Sequence, residues 1–177
     1  MLLAPFCVVG RMILMRSVVN AGHTKTGKGV GAYKYLNESR EARRVAYHLM
    51  YLLTGTPHEV IPAVFDVSSD NLGEAVKLSN NKKADLFISV HLNAGGGEGV
   101  EVYTWKGNKL KQATNICKNI AALGYKNRGV KDGSHLYVIN KTKAEAILVE
   151  CCFVDNKKDV EKYNAYKMAE AIYYAIK

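Results

Sequence analysis

Three side chains that can bind a metal stand where a predicted strand or helix meets a loop. His23 follows the β-branched run 13–19, and His91 follows the apolar run 85–90. Glu38 opens a segment whose apolar residues repeat at helical spacing. The carboxyl ends of parallel strands share one edge of a sheet with the starts of helices, so we expect the three side chains to meet there. Two imidazoles and one carboxylate match the ligands of catalytic zinc, which keeps a fourth position for water.

A further carboxylate, Glu150, ends the predicted strand 146–149. An unpaired charge in apolar surroundings is unfavourable, so this side chain requires a cation or a proton donor nearby. A general base beside a metal would satisfy that requirement. Each residue also has a structural interpretation, because a histidine at a strand end commonly forms structural hydrogen bonds and a glutamate at a helix start is favourable with the helix dipole. Spacing alone leaves both interpretations open.

The apolar pattern also predicts the elements that position these side chains. Helical spacing predicts a helix over 38–53, with Asn37 as its N-cap and Gly55 and Pro57 after its end. Further helices are predicted in three places: after a cap at Ser68 or Ser69, from 110 to about 124, and at the C-terminus. The predicted strands are 13–19, 59–65, 85–90, 100–105, 136–139 and 146–149. This alternation predicts a parallel or mixed sheet covered by helices.

Length and composition indicate one globular domain. A chain of 177 residues with 48% hydrophobic residues buries about 70% of its unfolded surface. The 25 Lys and Arg against 16 Asp and Glu give a net charge of +9, which favours an anionic partner such as nucleic acid, acidic lipid or an acidic wall polymer. The basic residues are spread along the chain without a nucleic-acid-binding signature, so we expect no nucleic-acid partner.

The cysteines and the N-terminus indicate where the chain is made. Cys7, Cys117, Cys151 and Cys152 show neither metal-ligand spacing nor disulfide-scaffold density, so we expect four free thiols. Residues 1–13 form an N-terminal extension of uncertain status. They lack a basic region before the apolar stretch, and Arg11 interrupts that stretch, so the sequence predicts neither a signal peptide nor a membrane span. Synthesis in the cytoplasm follows.

Four segments in order resemble the signatures of the zinc-dependent N-acetylmuramoyl-L-alanine amidases of the type-3 class. The segments are Asn20-Ala21-Gly22-His23, Asn37-Glu38, Ser89-Val90-His91-Leu92-Asn93-Ala94 and the run from Leu148 to Asn156. The resemblance covers about residues 14–177, which we therefore interpret as an amidase catalytic domain similar to those of phage endolysins and autolysins. It implies a single α/β domain with a central, mostly parallel twisted sheet and helices on both faces.

The resemblance also implies a role for each candidate residue. The zinc ligands of the family fall on His23, Glu38 and His91, and its catalytic glutamate falls on Glu150. The implied reaction is hydrolysis of the amide between N-acetylmuramic acid and L-alanine in peptidoglycan, after release of the protein to the cell wall. Anionic wall polymers are possible further partners, and the oligomeric state is not predicted.

The sequence departs from the family pattern at Asn20, at Thr24-Lys25 and at Cys151-Cys152, and two other functions remain open. Asn20 replaces the usual Asp of the first motif, which puts the hydrogen-bonded support of His23 in question. Asn93 and Asn156 can cap turns or face the substrate, and His135 can line the cleft. The alternatives to an amidase are a zinc peptidase on a similar fold and a noncatalytic basic wall-binding module.

Overall fold

The computed structural model describes residues 14–27 and 29–177. Six strands form one sheet in the order β2-β1-β3-β6-β4-β5. The strands are β1 (Met15–Ala21), β2 (His58–Ala63), β3 (Leu86–Asn93), β4 (Val100–Thr104), β5 (Asn127–Asp132) and β6 (Glu145–Phe153). All neighbouring strands pair in parallel except β4 and β6, which are antiparallel. The predicted mostly parallel sheet is confirmed.

Helices cover both faces of this sheet, as predicted. The helices are α1 (Glu38–Leu53), α2 (Asn71–Asn81), α3 (Lys111–Ala122), α4 (Tyr137–Lys141), α5 (Lys157–Glu161) and α6 (Ala165–Ile176). The apolar sides of α1, α3 and α6 join one face of the sheet in a single buried cluster. Those of α2 and α4 join the other face in a smaller cluster. Because the second cluster is small, that face has room for polar side chains.

Helix α1 begins and ends where the sequence predicts. The Asn37 side chain accepts a hydrogen bond of 2.8 Å from the Arg40 backbone N–H, which satisfies a donor that the first turn leaves free. The helix ends at Leu53, and Gly55 follows with a positive φ of 82°. Its first residue is Glu38, which is buried. The N-cap thus directs a carboxylate toward the sheet edge.

The alternation of side chains along β3 sets the polar face of the sheet. Val90 and Leu92 pack into the cluster beneath α1, so His91 between them points to the opposite face. Glu150 of β6 is the register partner of His91, and Glu101 of β4 is the register partner of Glu150. Register partners in a sheet share a face, so these three residues form one polar row across three strands.

Four sequence predictions about secondary structure are wrong. Residues 136–139 do not form a strand, because Val138 and Ile139 lie in α4 and both are buried against the same side of the sheet. A strand would place them on opposite faces. The N-cap of α2 is Asp70, whose carboxylate accepts from the Gly73 N–H, and neither Ser68 nor Ser69 caps the helix.

The third and fourth corrections concern Glu150 and His91. Glu150 is an interior residue of β6 and does not end it, and His91 is an interior residue of β3 and does not follow it. The buried residues 151–153 continue the strand past the carboxylate. Strand β5 had no prediction, because its residues are polar or only partly buried and form no apolar run. These differences bring polar residues into the sheet itself.

The thiols and the remaining N-terminal predictions have separate outcomes. Cys117, Cys151 and Cys152 are free and buried. Cys7, together with residues 1–13, lies outside the described residues. No helix within the described part of the chain is both long enough and apolar enough to cross a membrane.

Candidate metal centre

His23 is held in an unusual backbone conformation by the loop that follows β1. Its φ is 66°, in the left-handed region that few residues other than glycine adopt. Its Nδ1 lies 3.1 Å from the Gly29 carbonyl oxygen. The Arg43 guanidinium donates to the carbonyl oxygens of His23 and Phe65, at 3.2 and 2.6 Å. This buried cation on α1 thereby fixes the loop that carries the imidazole.

The three predicted metal-binding side chains meet at one carboxylate oxygen. Glu38 Oε1 lies 2.9 Å from His23 Nε2 and 3.2 Å from His91 Nδ1. One potential ligand atom from each residue lies within 4.8 Å of the other two. The two imidazole rings are 5.0 Å apart and inclined by 75°, so they approach the carboxylate from different directions. This geometry is that of a group able to hold a metal ion.

Two glycines leave the space that this cluster occupies. A Cβ at Gly22 would lie 2.4 to 2.6 Å from three atoms of the His91 ring. A Cβ at Gly31 would lie 2.7 Å from Glu38 Oε2 and from His23 Cδ2, and the φ of Gly31 is +72°. Contacts this short would displace the side chains. The first motif and the loop between β1 and α1 therefore supply the space around the cluster.

The electrostatics of the cluster favour an ionised Glu38 carboxylate and a neutral His91 imidazole. Burial by itself raises the pKa of Glu38, but hydrogen bonds and charge interactions with His23 and His91 outweigh burial and lower the pKa to about 2. The Ala32 N–H donates to Glu38 Oε2 at 2.8 Å, which further holds the carboxylate. Burial lowers the pKa of His91, against the opposing effect of the Glu38 hydrogen bond. Neutral imidazole is the form that binds metals.

The hydrogen bonding of His23 shows that these residues suit a cation. The Gly29 carbonyl can only accept, so the 3.1 Å contact places a ring proton of His23 on Nδ1. The other ring nitrogen, Nε2, faces the Glu38 carboxylate. A nitrogen lone pair and a carboxylate in contact repel unless a proton or a metal ion lies between them. A nitrogen and carboxylate donor set of this kind fits zinc among the divalent metals.

Glu150 lies beside this cluster without belonging to it. It is the register partner of His91, but it is not among the residues whose ligand atoms converge. Its Oε2 is enclosed and has no hydrogen-bond partner among the described residues. Burial raises the pKa of Glu150 to about 8, and the negative charges of Glu38 and Glu101 act in the same direction. A carboxyl group of this pKa can exchange a proton near neutral pH.

A second polar group beyond Glu150 escaped the sequence analysis. The Glu101 carboxylate accepts hydrogen bonds from Arg128 Nε at 2.6 Å, from the Tyr103 hydroxyl at 2.9 Å and from Asn93 Nδ2 at 2.7 Å. Burial raises the pKa of Glu101, but the bonds from Arg128 and Tyr103 outweigh it and the pKa is lowered. The only sequence signal was the alternation of β4, which places Glu101 and Tyr103 on the same face.

The remaining candidates have smaller roles in the geometry. Asn20 hydrogen-bonds to Ser89, which contacts His91, so the departure at Asn20 concerns the surroundings of His91. Asn156 caps α5, as one of its two interpretations predicts. The His135 ring lies 6.2 Å from that of Tyr103, edge to face. His135 thus lies next to the polar group around Glu101.

Comparison with known proteins gives a consistent result. A family model described as N-acetylmuramoyl-L-alanine amidase matches residues 18–177. An uncharacterised protein of Clostridium perfringens is 34% identical over 160 residues, which are 84% of this chain and 47% of that protein. A second Clostridium perfringens protein is covered to 49% of its length, so this chain spans about half the length of these curated relatives.

Two solved catalytic domains share the fold over nearly their whole length. The catalytic domain of the CD27L endolysin targeting Clostridia difficile has 29% identity and a TM-score of 0.82, with 92% of this chain and 96% of that chain covered. The catalytic domain of CwlV, an N-acetylmuramoyl-L-alanine amidase from Bacillus (Paenibacillus) polymyxa, has 26% identity, a TM-score of 0.81 and the same coverage.

Proposed function

The chain belongs to the N-acetylmuramoyl-L-alanine amidase family, and from this premise we propose that it hydrolyses the amide between N-acetylmuramic acid and L-alanine in peptidoglycan with the help of zinc. The convergence of His23, Glu38 and His91 on one point carries the proposal. Peptidoglycan is then the substrate, and the bacterial cell wall is the site of action. The relatives include an endolysin of a Bacillus phage, which supports a role in wall lysis.

In this proposal zinc is held by His23 Nε2, Glu38 Oε1 and His91 Nδ1. When bound, zinc supplies Lewis-acid chemistry, since it polarises a carbonyl and makes water nucleophilic at neutral pH. The protein contributes the orientation of the ligand atoms. The left-handed backbone of His23 and the N-cap of α1 fix two of them. Such preorganisation avoids an ordering cost upon binding.

We assign the proton transfers to Glu150. Its carboxylate takes a proton from the attacking water and returns it to the amine nitrogen of the departing L-alanine. The neighbouring Glu101 is held ionised by Arg128, whereas the pKa of Glu150 is raised to about 8. Two adjacent carboxyl groups whose pKa values are pushed apart can take different roles. Glu101 therefore contributes a fixed negative charge beside Glu150, and Glu150 transfers protons.

Anionic wall polymers are the additional partner that the surface supports. A groove of about 490 Å³ lies beside the start of α1, and its wall includes the cations Lys25, Arg40, Arg43 and Arg44. Glu41 is buried between Arg40 and Arg44, so it neutralises part of their charge. The remaining positive charge attracts acidic groups to the vicinity of the cluster.

Product analysis on purified peptidoglycan tests the proposed activity. We expect new L-alanine amino termini without new reducing sugar ends, because amide hydrolysis leaves the glycan strands intact. His91→Ala should release no new L-alanine amino termini. New amino termini on other residues of the peptide would favour the zinc peptidase, and binding to the wall without any product would favour the noncatalytic module. New reducing ends would indicate a glycosidase and overturn the proposal.

A further inference from the structure

His91 has hydrogen-bond partners on both ring nitrogens. Its Nδ1 faces Glu38 Oε1 at 3.2 Å, and its Nε2 lies 3.1 Å from the Ser89 hydroxyl. A neutral imidazole carries one proton, and only the nitrogen without that proton can bind a metal. The partner of Nε2 therefore decides whether Nδ1 is available. Ser89 and His91 are both buried, so water does not compete freely for either position.

The directions of the hydrogen bonds from Asn20 through Ser89 to His91 follow from the backbone carbonyls that the Asn20 side chain contacts. The Asn20 side chain lies 2.8 Å from the Ala63 carbonyl and 3.2 Å from the Ala21 carbonyl. Both carbonyls can only accept, so the atom facing them is Nδ2, and Oδ1 faces Ser89. The Ser89 hydroxyl donates to Asn20 Oδ1 at 2.6 Å. Its single proton is thereby used.

With its proton directed at Asn20, the Ser89 oxygen can only accept from His91. We infer that Asn20 and Ser89 are positioning residues that hold the His91 ring with its proton on Nε2, so that the Nδ1 lone pair points at the metal position beside Glu38. This inference deepens the proposed function, since it rests on metal binding at the same cluster. It also explains why an asparagine suits position 20. An amide can donate to the Ala63 carbonyl and accept from Ser89 at once, whereas a carboxylate could only accept.

Zinc affinity is the quantity that this arrangement should change. Hydrogen-bond partners of metal-binding histidines typically contribute about 10- to 100-fold to affinity or activity. Ser89→Ala removes the acceptor for Nε2 and should weaken zinc binding within that range. Asn20→Ala frees the Ser89 proton to turn toward Nε2, which favours the wrong tautomer and should weaken binding in the same direction.

Ser17→Ala is a matched control for Ser89→Ala. Ser17 is also fully buried in the sheet, and its hydroxyl contacts a histidine nitrogen, His58 Nδ1, at 2.7 Å. His58 is not part of the converging cluster. The same chemical change at Ser17 should leave zinc affinity as in the wild-type chain, even if it lowers the stability of the fold.

The experiment is a zinc titration of the four proteins in competition with a chromophoric chelator, with thermal unfolding in the metal-free state as the check on folding. In parallel, ¹⁵N-histidine spectra of the zinc-loaded wild-type protein should show His91 protonated at Nε2 and coordinated through Nδ1. We expect weaker zinc binding by folded Ser89→Ala and Asn20→Ala and unchanged binding by Ser17→Ala. If Ser89→Ala does not fold, Asn20→Ala and the spectra decide.

Wild-type affinity in both Ser89→Ala and Asn20→Ala, or coordination through Nε2, would overturn the inference. Neither readout uses the substrate, so a protein that binds zinc but leaves peptidoglycan intact would overturn the proposed activity and leave this inference standing. A wild-type chain that binds no zinc would overturn both.

Discussion

Glu150 lies directly opposite His91 in the pairing of β3 with β6, yet only His91 contributes a ligand atom to the group that meets at Glu38. Adjacent strands thus place a candidate metal-binding residue and a candidate proton-transfer residue side by side on one face. The two carboxyl groups of the site also differ in burial and charge. Glu38 contacts two imidazoles and its pKa is lowered to about 2, whereas the pKa of Glu150 is raised to about 8. In this row, His91 is therefore the candidate for metal binding and Glu150 the candidate for proton transfer.

Gly22→Ala tests the packing of His91. The added Cβ would lie 2.4 to 2.6 Å from the imidazole, so the ring must move away from Glu38. We expect a loss of zinc binding and a decrease of about 1–3 kcal/mol in the free energy of unfolding, as is typical of overpacking. Gly133→Ala is the control, because its added Cβ would also be tight, 3.0 Å from Tyr103 Cβ, but its three nearest contacts are not residues of the metal cluster. Equal zinc affinity in both variants would contradict the conclusion that Gly22 leaves the space for the His91 ring.

Arg43→Met tests whether the buried guanidinium holds the His23 loop. The change removes hydrogen bonds to the carbonyl oxygens of His23, Phe65 and Ser39. We expect a decrease of about 1.5–3 kcal/mol in the free energy of unfolding, since these bonds involve a charged donor. Zinc affinity should fall as well. Chemical denaturation and zinc titration measure the two effects.

Arg43→Lys and Arg40→Met are the comparisons for this prediction. Lysine keeps the charge of Arg43 but cannot reproduce the planar fork, so it should recover only part of the stability. Arg40 is 66% exposed in its side chain and pairs with the buried Glu41, which keeps Arg44 as a second partner when Arg40 is replaced. A larger effect on zinc affinity from Arg40→Met than from Arg43→Met would show that the loop is held in another way.

Arg128→Met tests the ion pair with Glu101 through its pH dependence. The pKa of Glu101 in the folded state lies below its unfolded value of about 4.3, so the pair stabilises the fold above that pH. This contribution is lost as the pH falls through the folded-state pKa. The variant should therefore be less stable than the wild type by about 1–2 kcal/mol at pH 7, with a smaller difference at pH 3.

Urea denaturation of both proteins at the two pH values measures this difference. Arg16→Met is the control, because Arg16 pairs with Asp85 in a more exposed setting, at 3.6 Å. It should change stability little at either pH. A stability difference for Arg128→Met that grows as the pH falls would contradict the assigned direction of the Glu101 pKa.

The sequence predicted the residues of the cluster because each occupies a locally recognisable position. His23 follows an apolar strand, His91 lies near the end of another, and Glu38 follows an N-cap, so short-range patterns place all three near one edge. The partners of these residues were not predictable in the same way. Ser89 is a small residue within an apolar strand, and its contact with Asn20 depends on which strands are neighbours.

The same limit explains the other differences. Alternation places Glu101 on the polar face of β4, but only the strand order shows that β4 lies next to β6 and hence beside Glu150. The segment 136–139 is too short for its period to distinguish a strand from a helical turn. Its conformation is decided by tertiary packing, because Val138 and Ile139 both cover the α2 side of the sheet.

The paired variants Glu150→Gln and His91→Ala test the central claim most directly, which is that the converging residues hold zinc while Glu150 transfers protons. Zinc content and turnover of peptidoglycan are measured on the same samples. Glu150→Gln should retain zinc and lose about 10²- to 10⁴-fold in turnover, since only the proton transfer is removed. His91→Ala should lose zinc and turnover together. A fully active Glu150→Gln protein, or one that loses its zinc as completely as His91→Ala, would contradict the account.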